Sequence, residues 1–199
     1  MAIKFQYNKT SLNDLDRQLK VRQRALPTLK NKEAALRVEV KKARDHANEL
    51  EAQLLEKMED LNSFVHLWNE FDPDLVQIKS VESFTKKIAG VKIPIMGEIQ
   101  YSYKDYSMFN NPIWISDGVK IIEELSAITI EKQFFLKKMR ILDQVRKKTT
   151  QKVNLYEKVQ IPGYEDAMRR IKRFLEDEEN LSKSGQKILK NRNKTEVVQ

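Results

Sequence analysis

The feature that most constrains this chain is a series of apolar residues that recur every three, four or seven positions from Leu12 to Trp68. That spacing puts the apolar side chains on one face of an α-helix and is typical of a coiled-coil seam. The sequence therefore predicts a helix over residues 10–70, kinked but not broken by Pro27. The residues assigned to its seam are Leu29, Leu36, Val40, Leu50, Leu54 and Leu61.

A second seam runs from Ile121 to Tyr156 in alternating steps of three and four residues. It predicts a helix over residues 119–180 that is kinked near Pro162. Residues 181–199 are polar and weakly patterned, which predicts a tail that is disordered unless it docks. The residues assigned to this seam are Leu125, Ile128, Phe135, Met139, Leu142, Val153 and Tyr156.

Neither helix can bury its seam alone, because most of the stability of a protein helix comes from packing its apolar face. Two helices of similar length that flank a compact segment most simply fold back on each other. The predicted fold is mainly α, a long antiparallel two-helix coiled coil formed by the N- and C-terminal segments. Pairing of the same seams between two chains is the competing arrangement.

The segment between the helices, residues 71–118, holds six of the ten Gly and Pro residues. Within it, residues 91–95 and 99–103 are rich in β-branched and aromatic side chains and are separated by Met96, Gly97 and Glu98. This pattern predicts a small central insert with a short β-hairpin near 91–103. Aromatic residues are concentrated in this segment, and two explanations stay open: a patch that docks a partner, or a small core of the insert itself.

Composition and motifs argue against catalysis. The chain has no Cys, so it has no thiolate nucleophile and no Cys-ligated metal. His46 and His66 both fall in the first predicted helix, roughly 30 Å apart at ~1.5 Å per residue, too far to share a metal ion. The five glycines form no phosphate-binding loop. We predict no catalytic, cofactor-binding or metal-binding residue.

Charge suggests an anionic partner without identifying it. The chain carries 37 Lys and Arg against 29 Asp and Glu, a formal net charge of +8. Several charges in every stretch of about 18 residues argue against a transmembrane helix. The basic runs are interspersed with acidic residues and lack interleaved aromatics, which weakens the case for nucleic acid. A basic coiled-coil adaptor that binds nucleic acid remains the alternative function.

Three segments carry a resemblance to a known family. Residues 29–36 (LKNKEAAL) resemble its N-terminal pattern, 90–94 (GVKIP) its central one, and 153–157 (VNLYE) with 161–166 (IPGYED) its more specific C-terminal one. The chain resembles the D subunit of the V-type and archaeal A-type rotary ATPases, over most of the chain from about Thr10 to Glu179. It departs from the family at Pro27 and at the Asp and Arg of the N-terminal pattern.

The resemblance implies a non-catalytic central-stalk rotor subunit, cytoplasmic and peripheral to the membrane as part of the complex. The implied partners are the A and B subunits of the catalytic hexamer, the F subunit and the ring adaptor of the C/d type, with no nucleic acid. The residues expected to face the hexamer are Arg22, Arg24, Lys30, Lys32, Arg169, Arg170 and Arg173. Those expected to face the F subunit or the adaptor are Ile93, Pro94, Ile95, Tyr101, Tyr103 and Trp114.

Overall fold

The computed structural model describes residues 3–62, 65–105 and 112–196, with side chains as far as Asn191. Residues 63–64, 106–111 and 197–199, which belong to the predicted first helix, insert and tail, lie outside the described residues. The elements in chain order are α1 (Lys9–Leu61), α2 (Val65–Trp68), a 3-10 turn (Pro73–Leu75), β1 (Val76–Ile88), β2 (Val91–Tyr103), α3 (Ile115–Leu155), a π turn (Tyr156–Gln160) and α4 (Ile161–Glu196).

Helix α1 is unbroken through Pro27, as predicted. It begins after Asn8, whose side-chain oxygen accepts a hydrogen bond of 2.7 Å from the Ser11 N–H and so caps the first turn. It ends at Leu61, earlier than the predicted residue 70. Beyond that point Trp68 packs against Phe71 and Trp114 in an aromatic cluster, with ring centroids 5.4 and 5.6 Å away. The seam spacing therefore continues beyond the end of α1, because Trp68 packs in this aromatic cluster instead of in a helix pair.

The chain divides into two compact units, residues 1–31 with 149–199, and residues 32–148. In the first unit, α1 runs antiparallel to the π turn and α4. Tyr164 donates a hydrogen bond of 2.9 Å to Gln18, and Lys30 lies 2.7 Å from Glu157 in an ion pair, so later residues of α1 meet earlier residues of the partner segment. The core of this unit comprises Leu15, Leu19, Tyr164, Ala167 and Ile171.

The N-terminal segment covers part of this helix pair. Ile3 and Phe5 pack against the core of the first unit. A Cβ placed on Gly163 would lie 2.9 Å from the end of the Ile3 side chain, so glycine allows this close approach. Tyr7 extends the contact to Phe174 of α4, with ring centroids 4.9 Å apart.

In the second unit, α1 runs antiparallel to α3. The rings of His46 and Phe135 meet edge to face with centroids 4.6 Å apart, and Lys57 forms an ion pair with Glu124. The buried core joins both helices to β2 through Leu36, Val91, Ile93 and Leu142. The predicted fold class is confirmed: the protein is mainly α-helical, with antiparallel helix pairing and a central two-stranded β-hairpin.

The predicted strands of that hairpin are wrong. Residues 91–103 form one strand, β2, which pairs antiparallel with β1 in a register that sets Lys87 opposite Lys92 and Val76 opposite Tyr103. The turn is Ala89–Gly90, where both φ angles are positive (49° and 78°), as a two-residue type I′ turn requires. Gly97 marks an irregular part of the ladder instead, and a Cβ there would lie 2.6 Å from the Phe84 ring.

The second predicted helix also differs in detail. The interruption lies in the π turn, where the Ile161 N–H bonds to the Tyr156 carbonyl five residues back. Pro162 explains its position, because proline has no N–H to donate and its ring clashes with the carbonyl four residues back in a regular α-helix. The segment from residue 181, predicted to be disordered unless docked, continues α4 as a helix to Glu196.

Antiparallel pairing within one chain leads to a crosslinking prediction. The variant His46→Cys with Phe135→Cys carries two thiols in a chain that has no native Cys, at the two ends of a direct ring contact. We expect a short bismaleimide to link them within one chain, at a yield independent of protein concentration. Each single-cysteine variant serves as a control, because it can give only two-chain products. Two-chain products alone from the double variant would establish the intermolecular arrangement instead.

Candidate partner-binding surfaces

The predicted seam residues differ in burial, and four of the thirteen are buried: Leu36, Leu50, Leu142 and Val153. All thirteen are buried or partly buried, and Leu36 and Leu142 have no exposed surface. Leu36, Val40 and Leu142 pack together with the start of β2, which is the contact expected of a seam. The outward faces are therefore the candidate binding surfaces.

Five of the predicted hexamer-facing cations are exposed in the first unit. Lys30 pairs with Glu157, and Arg170 pairs with Asp166 at 2.9 Å. Arg24, Arg169 and Arg173 make no ion pair with any described residue. An exposed ion pair is worth about 0–1 kcal/mol, so the paired cations remain available to an anionic partner.

Arg22 is occupied inside the first unit. Its Nε donates a hydrogen bond of 2.6 Å to Gln160, and its guanidinium lies over the Tyr164 ring, 4.7 Å from the centroid. The Tyr164 hydroxyl in turn donates to Gln18, and an Arg22 N–H donates to the Gln18 carbonyl. The side chain therefore joins α1 to the π turn and to α4, and this structure removes Arg22 from the set of freely partner-facing residues.

The hairpin residues divide between core and surface. Ile93 is only 1% exposed and packs with Leu36 and Leu142, so the structure contradicts its assignment to a partner-facing set. The Tyr101 hydroxyl donates to the Glu123 carbonyl at 3.1 Å and lies 2.9 Å from the Ser126 hydroxyl. Both residues attach β2 to the helix pair, because one contributes apolar packing and the other hydrogen bonds.

Three of the other insert residues keep a surface. Ile95 is 39% exposed, Tyr103 is exposed, and Pro94 is partly buried. A hydrogen bond to Glu123 raises the pKa of the Tyr103 hydroxyl. Trp114 is partly buried beside Trp68 and Phe71. The insert residues thus divide between a core shared with α1 and α3 and an exposed apolar edge.

Two exposed apolar groups were not selected from the sequence. On the hairpin, Phe84 stands directly opposite Ile95 and is 60% exposed. On α4, every side chain from residue 176 to 190 is exposed, and apolar residues recur there at a spacing of seven. These residues are Phe174, Leu181 and Ile188, with Leu189 beside them. The heptad spacing on α4 could have predicted its exposed apolar line from the sequence, whereas no spacing pattern around Phe84 predicts its exposure.

Ionic contacts in the described residues are exposed or partly buried. Asp143 accepts hydrogen bonds from Arg146 and Lys147, which lower the pKa of its carboxyl. Lys104 lowers the pKa of Asp72 in the same way. The described ranges contain no cluster of three or more His, Asp or Glu side chains placed to hold a metal ion. No helix in the described part of the chain is both long and apolar enough to cross a membrane.

These features define a class of protein: an antiparallel helix-pair protein with a central β-hairpin and charged outward faces. Within that class, the sequence identifies one family. The family of the ATP synthase D subunit matches residues 11–191, and the chain belongs to that family. The resemblance seen in the three sequence segments is therefore confirmed.

Individual relatives carry the same designation. A protein from Borreliella burgdorferi, named as the D subunit of V-type ATP synthase, is 32% identical over 189 residues, which cover 92% of this chain and 93% of the relative. Its counterpart from Chlamydia pneumoniae is 29% identical over 182 residues, covering 89% and 87%. Neither the family nor these names support the alternative of a nucleic-acid adaptor.

Proposed function

We propose that this chain is the central-stalk rotor subunit of a V-type ATPase or ATP synthase. In this role it transmits rotation between the catalytic A/B hexamer and the membrane ring that moves ions, and it catalyses no reaction itself. It works in the cytoplasm, peripheral to the membrane as part of the complex. The observation that carries the proposal is the family match over residues 11–191, which includes both helical segments and the hairpin.

The packing of the helices suits a shaft. A rotor must resist bending and twisting, and two helices with interlocked side chains are stiffer than a single helix. Leu36 and Leu142 provide such contacts in the second unit, and Leu15, Leu19 and Ile171 provide them in the first. The chain therefore has the buried contacts that torque transmission requires.

The outward faces suit contacts that must be made and broken. A large apolar patch would hold a rotor at one angular position, whereas solvated charges bind weakly. We assign the hexamer-facing contacts to Arg24, Lys30, Arg169, Arg170 and Arg173. Differential contacts of an asymmetric rotor with its surroundings would shift the populations of catalytic states.

The exposed part of the hairpin is the proposed docking site for the F subunit or the ring adaptor. Phe84, Ile95 and Tyr103 provide its apolar and aromatic surface. Aromatic residues of this kind are enriched in the centres of protein interfaces. Ile93 and Tyr101 support this surface from behind by attaching β2 to the helix pair.

Affinity capture of the tagged chain from its own cells, followed by native mass spectrometry, tests the proposal. We expect recovery with the A and B subunits, and with the F subunit or the adaptor. Deletion of residues 76–103, joined by a short Gly-Ser turn, should leave helical content unchanged and weaken binding of the F subunit or the adaptor, or alter the ATPase rate. The deletion must span both strands, because removing β2 alone would leave β1 unpaired. Recovery with RNA and without ATPase subunits would overturn the assignment.

A further inference from the structure

The tip of the hairpin gathers lysines that are separate in sequence. We propose that Lys32, Lys86, Lys87 and Lys92, here called the tip surface, bind an acidic polypeptide segment of a partner protein. This inference deepens the proposed function and rests on it for the identity of the partner, since the rotor assignment gives the hairpin a docking role. The chemistry of the surface follows from its lysines, three on the hairpin and one on α1.

The turn fixes two of these lysines side by side. The two-residue turn Ala89–Gly90 sets Ile88 opposite Val91 and Lys87 opposite Lys92. Residues directly opposite in an antiparallel pair have Cβ atoms about 4.5–5.5 Å apart, and like charges in that position are destabilising. Both lysines are exposed. The hairpin therefore keeps an unfavourable pair of like charges beside its turn.

The third and fourth lysines come to the same place. Val91 and Ile93 are fixed in the core with Leu36, and Lys32 lies one helical turn before Leu36 on α1. A Cβ placed on Gly90 would lie 3.7 Å from the Lys32 ammonium nitrogen. Lys86 is exposed near the turn, and because successive strand residues point to opposite faces it lies on the face of Ile93 and not on that of Lys87 and Lys92. The position of the tip against α1 is set by buried contacts, so the cluster belongs to the folded chain.

No described acidic residue neutralises this cluster. None of the four lysines forms an ion pair within the described ranges. Glu33, the residue next to Lys32, pairs with Arg37 at 2.9 Å and with Arg146 at 3.9 Å. Asp143 is bonded to Arg146 and Lys147. The positive charge at the tip is thus uncompensated, which favours an anionic partner.

The chemistry of the tip favours carboxylates of a protein over phosphates of a nucleic acid. All four cations are lysines, whose ammonium groups pair with carboxylates and phosphates alike, so the other features of the tip decide between them. No aromatic residue lies among residues 85–93 to stack on a base. The hairpin is a two-stranded sheet, so the outer edge of β1 offers unpaired backbone groups to a polypeptide. Salt bridges to Asp or Glu side chains are the expected contacts.

This placement also changes the grouping predicted from the sequence. That grouping put Lys32 in the hexamer-facing set and gave the hairpin a different partner. The structure brings Lys32 to the hairpin turn, within the same unit. One partner segment is therefore expected to contact both Lys32 and the hairpin turn.

Zero-length crosslinking with a carbodiimide tests the chemistry directly, because the reagent joins a lysine amine to a carboxylate that it already touches. The full chain is captured with its complex from its own cells, treated, digested and analysed by mass spectrometry. We expect amide links from Lys87 or Lys92 to Asp or Glu of another chain. In the double variant Lys87→Gln with Lys92→Gln, which has no amine at these two positions, links from the remaining Lys32 and Lys86 should fall about fivefold, the size expected for losing two exposed ion pairs.

The matched control is Lys79→Gln, an exposed lysine of β1 away from the tip, which should leave the tip links unchanged. Absence of tip links in the parent complex overturns the proposal. So does tip-dependent binding of poly-uridine RNA or phosphatidylserine vesicles without carboxylate links. Recovery of the ATPase subunits without tip links would overturn this inference and keep the rotor assignment. Tip links to a protein outside the ATPase, without recovery of the ATPase subunits, would support this inference and overturn the rotor assignment.

Discussion

Ile93→Asp is expected to detach the hairpin from the helix pair. Ile93 is 1% exposed among Leu36, Val91 and Leu142, so the variant loses the apolar contacts and places a carboxylate in their position. Loss of a buried Ile side chain alone costs about 2–5 kcal/mol. Burial of an unpaired carboxylate adds to that cost, and moving the strand into water is the available relief. Hydrogen exchange of the hairpin amides measures the result, and we expect loss of their protection.

Ile95→Asp is the matched control. It lies two residues along the same strand but is 39% exposed, so its carboxylate keeps contact with water. We expect hairpin protection close to that of the parent and, under the proposed function, weaker capture of the F subunit or the adaptor. Equal loss of protection in both variants would mean that Ile93 does not anchor the strand. The pair therefore separates the core of the insert from its docking surface.

Leu142→Ala is expected to lower the free energy of unfolding by about 2–5 kcal/mol. Leu142 has no exposed surface and lies where α3 meets Leu36 of α1 and the start of β2, so truncation leaves a cavity at the junction of three elements. Helix propensity cannot account for such a loss, since Ala is the best helix former. Urea denaturation followed by circular dichroism measures the change, read from the midpoint at constant slope.

Leu189→Ala provides the comparison on α4. Leu189 is 60% exposed, and surface substitutions of this kind usually change stability by about 0.5 kcal/mol or less. A loss below about 1 kcal/mol for Leu142→Ala would show that the helix pair repacks around the missing side chain. The difference between the two variants thus measures how tightly the seam is packed.

Much of the helical architecture was predictable because its signals are local. A seam residue such as Leu36 or Leu142 repeats at the spacing of one helix face, so burial can be inferred before any partner is known. The unbroken passage of α1 through Pro27 also followed from the strength of that pattern. The family match over residues 11–191 likewise depends on the order of residues alone.

The hairpin was harder to predict because its pairing is not local. The apolar residues of β1 are spaced irregularly, and the ladder shifts register between Ile78 and Ser80 and again between Val81 and Ser83. These irregularities break the alternation by which a strand is recognised. For that reason the pattern does not reveal β1, whereas the break at Met96, Gly97 and Glu98 makes the sequence of β2 resemble two strands.

The sequence by itself determined that the chain would form two long helices with complementary seams, because the helical period is set by the spacing of apolar residues that are close in the chain. Only the tertiary structure decided which side chains of the candidate surfaces are available. It buried Ile93 against α1 and α3, engaged Arg22 with the π turn and α4, and brought Lys32 to the hairpin turn. Each of these outcomes depends on contacts between residues that are far apart in the chain, and side chains at such separations leave no periodic signal in the sequence.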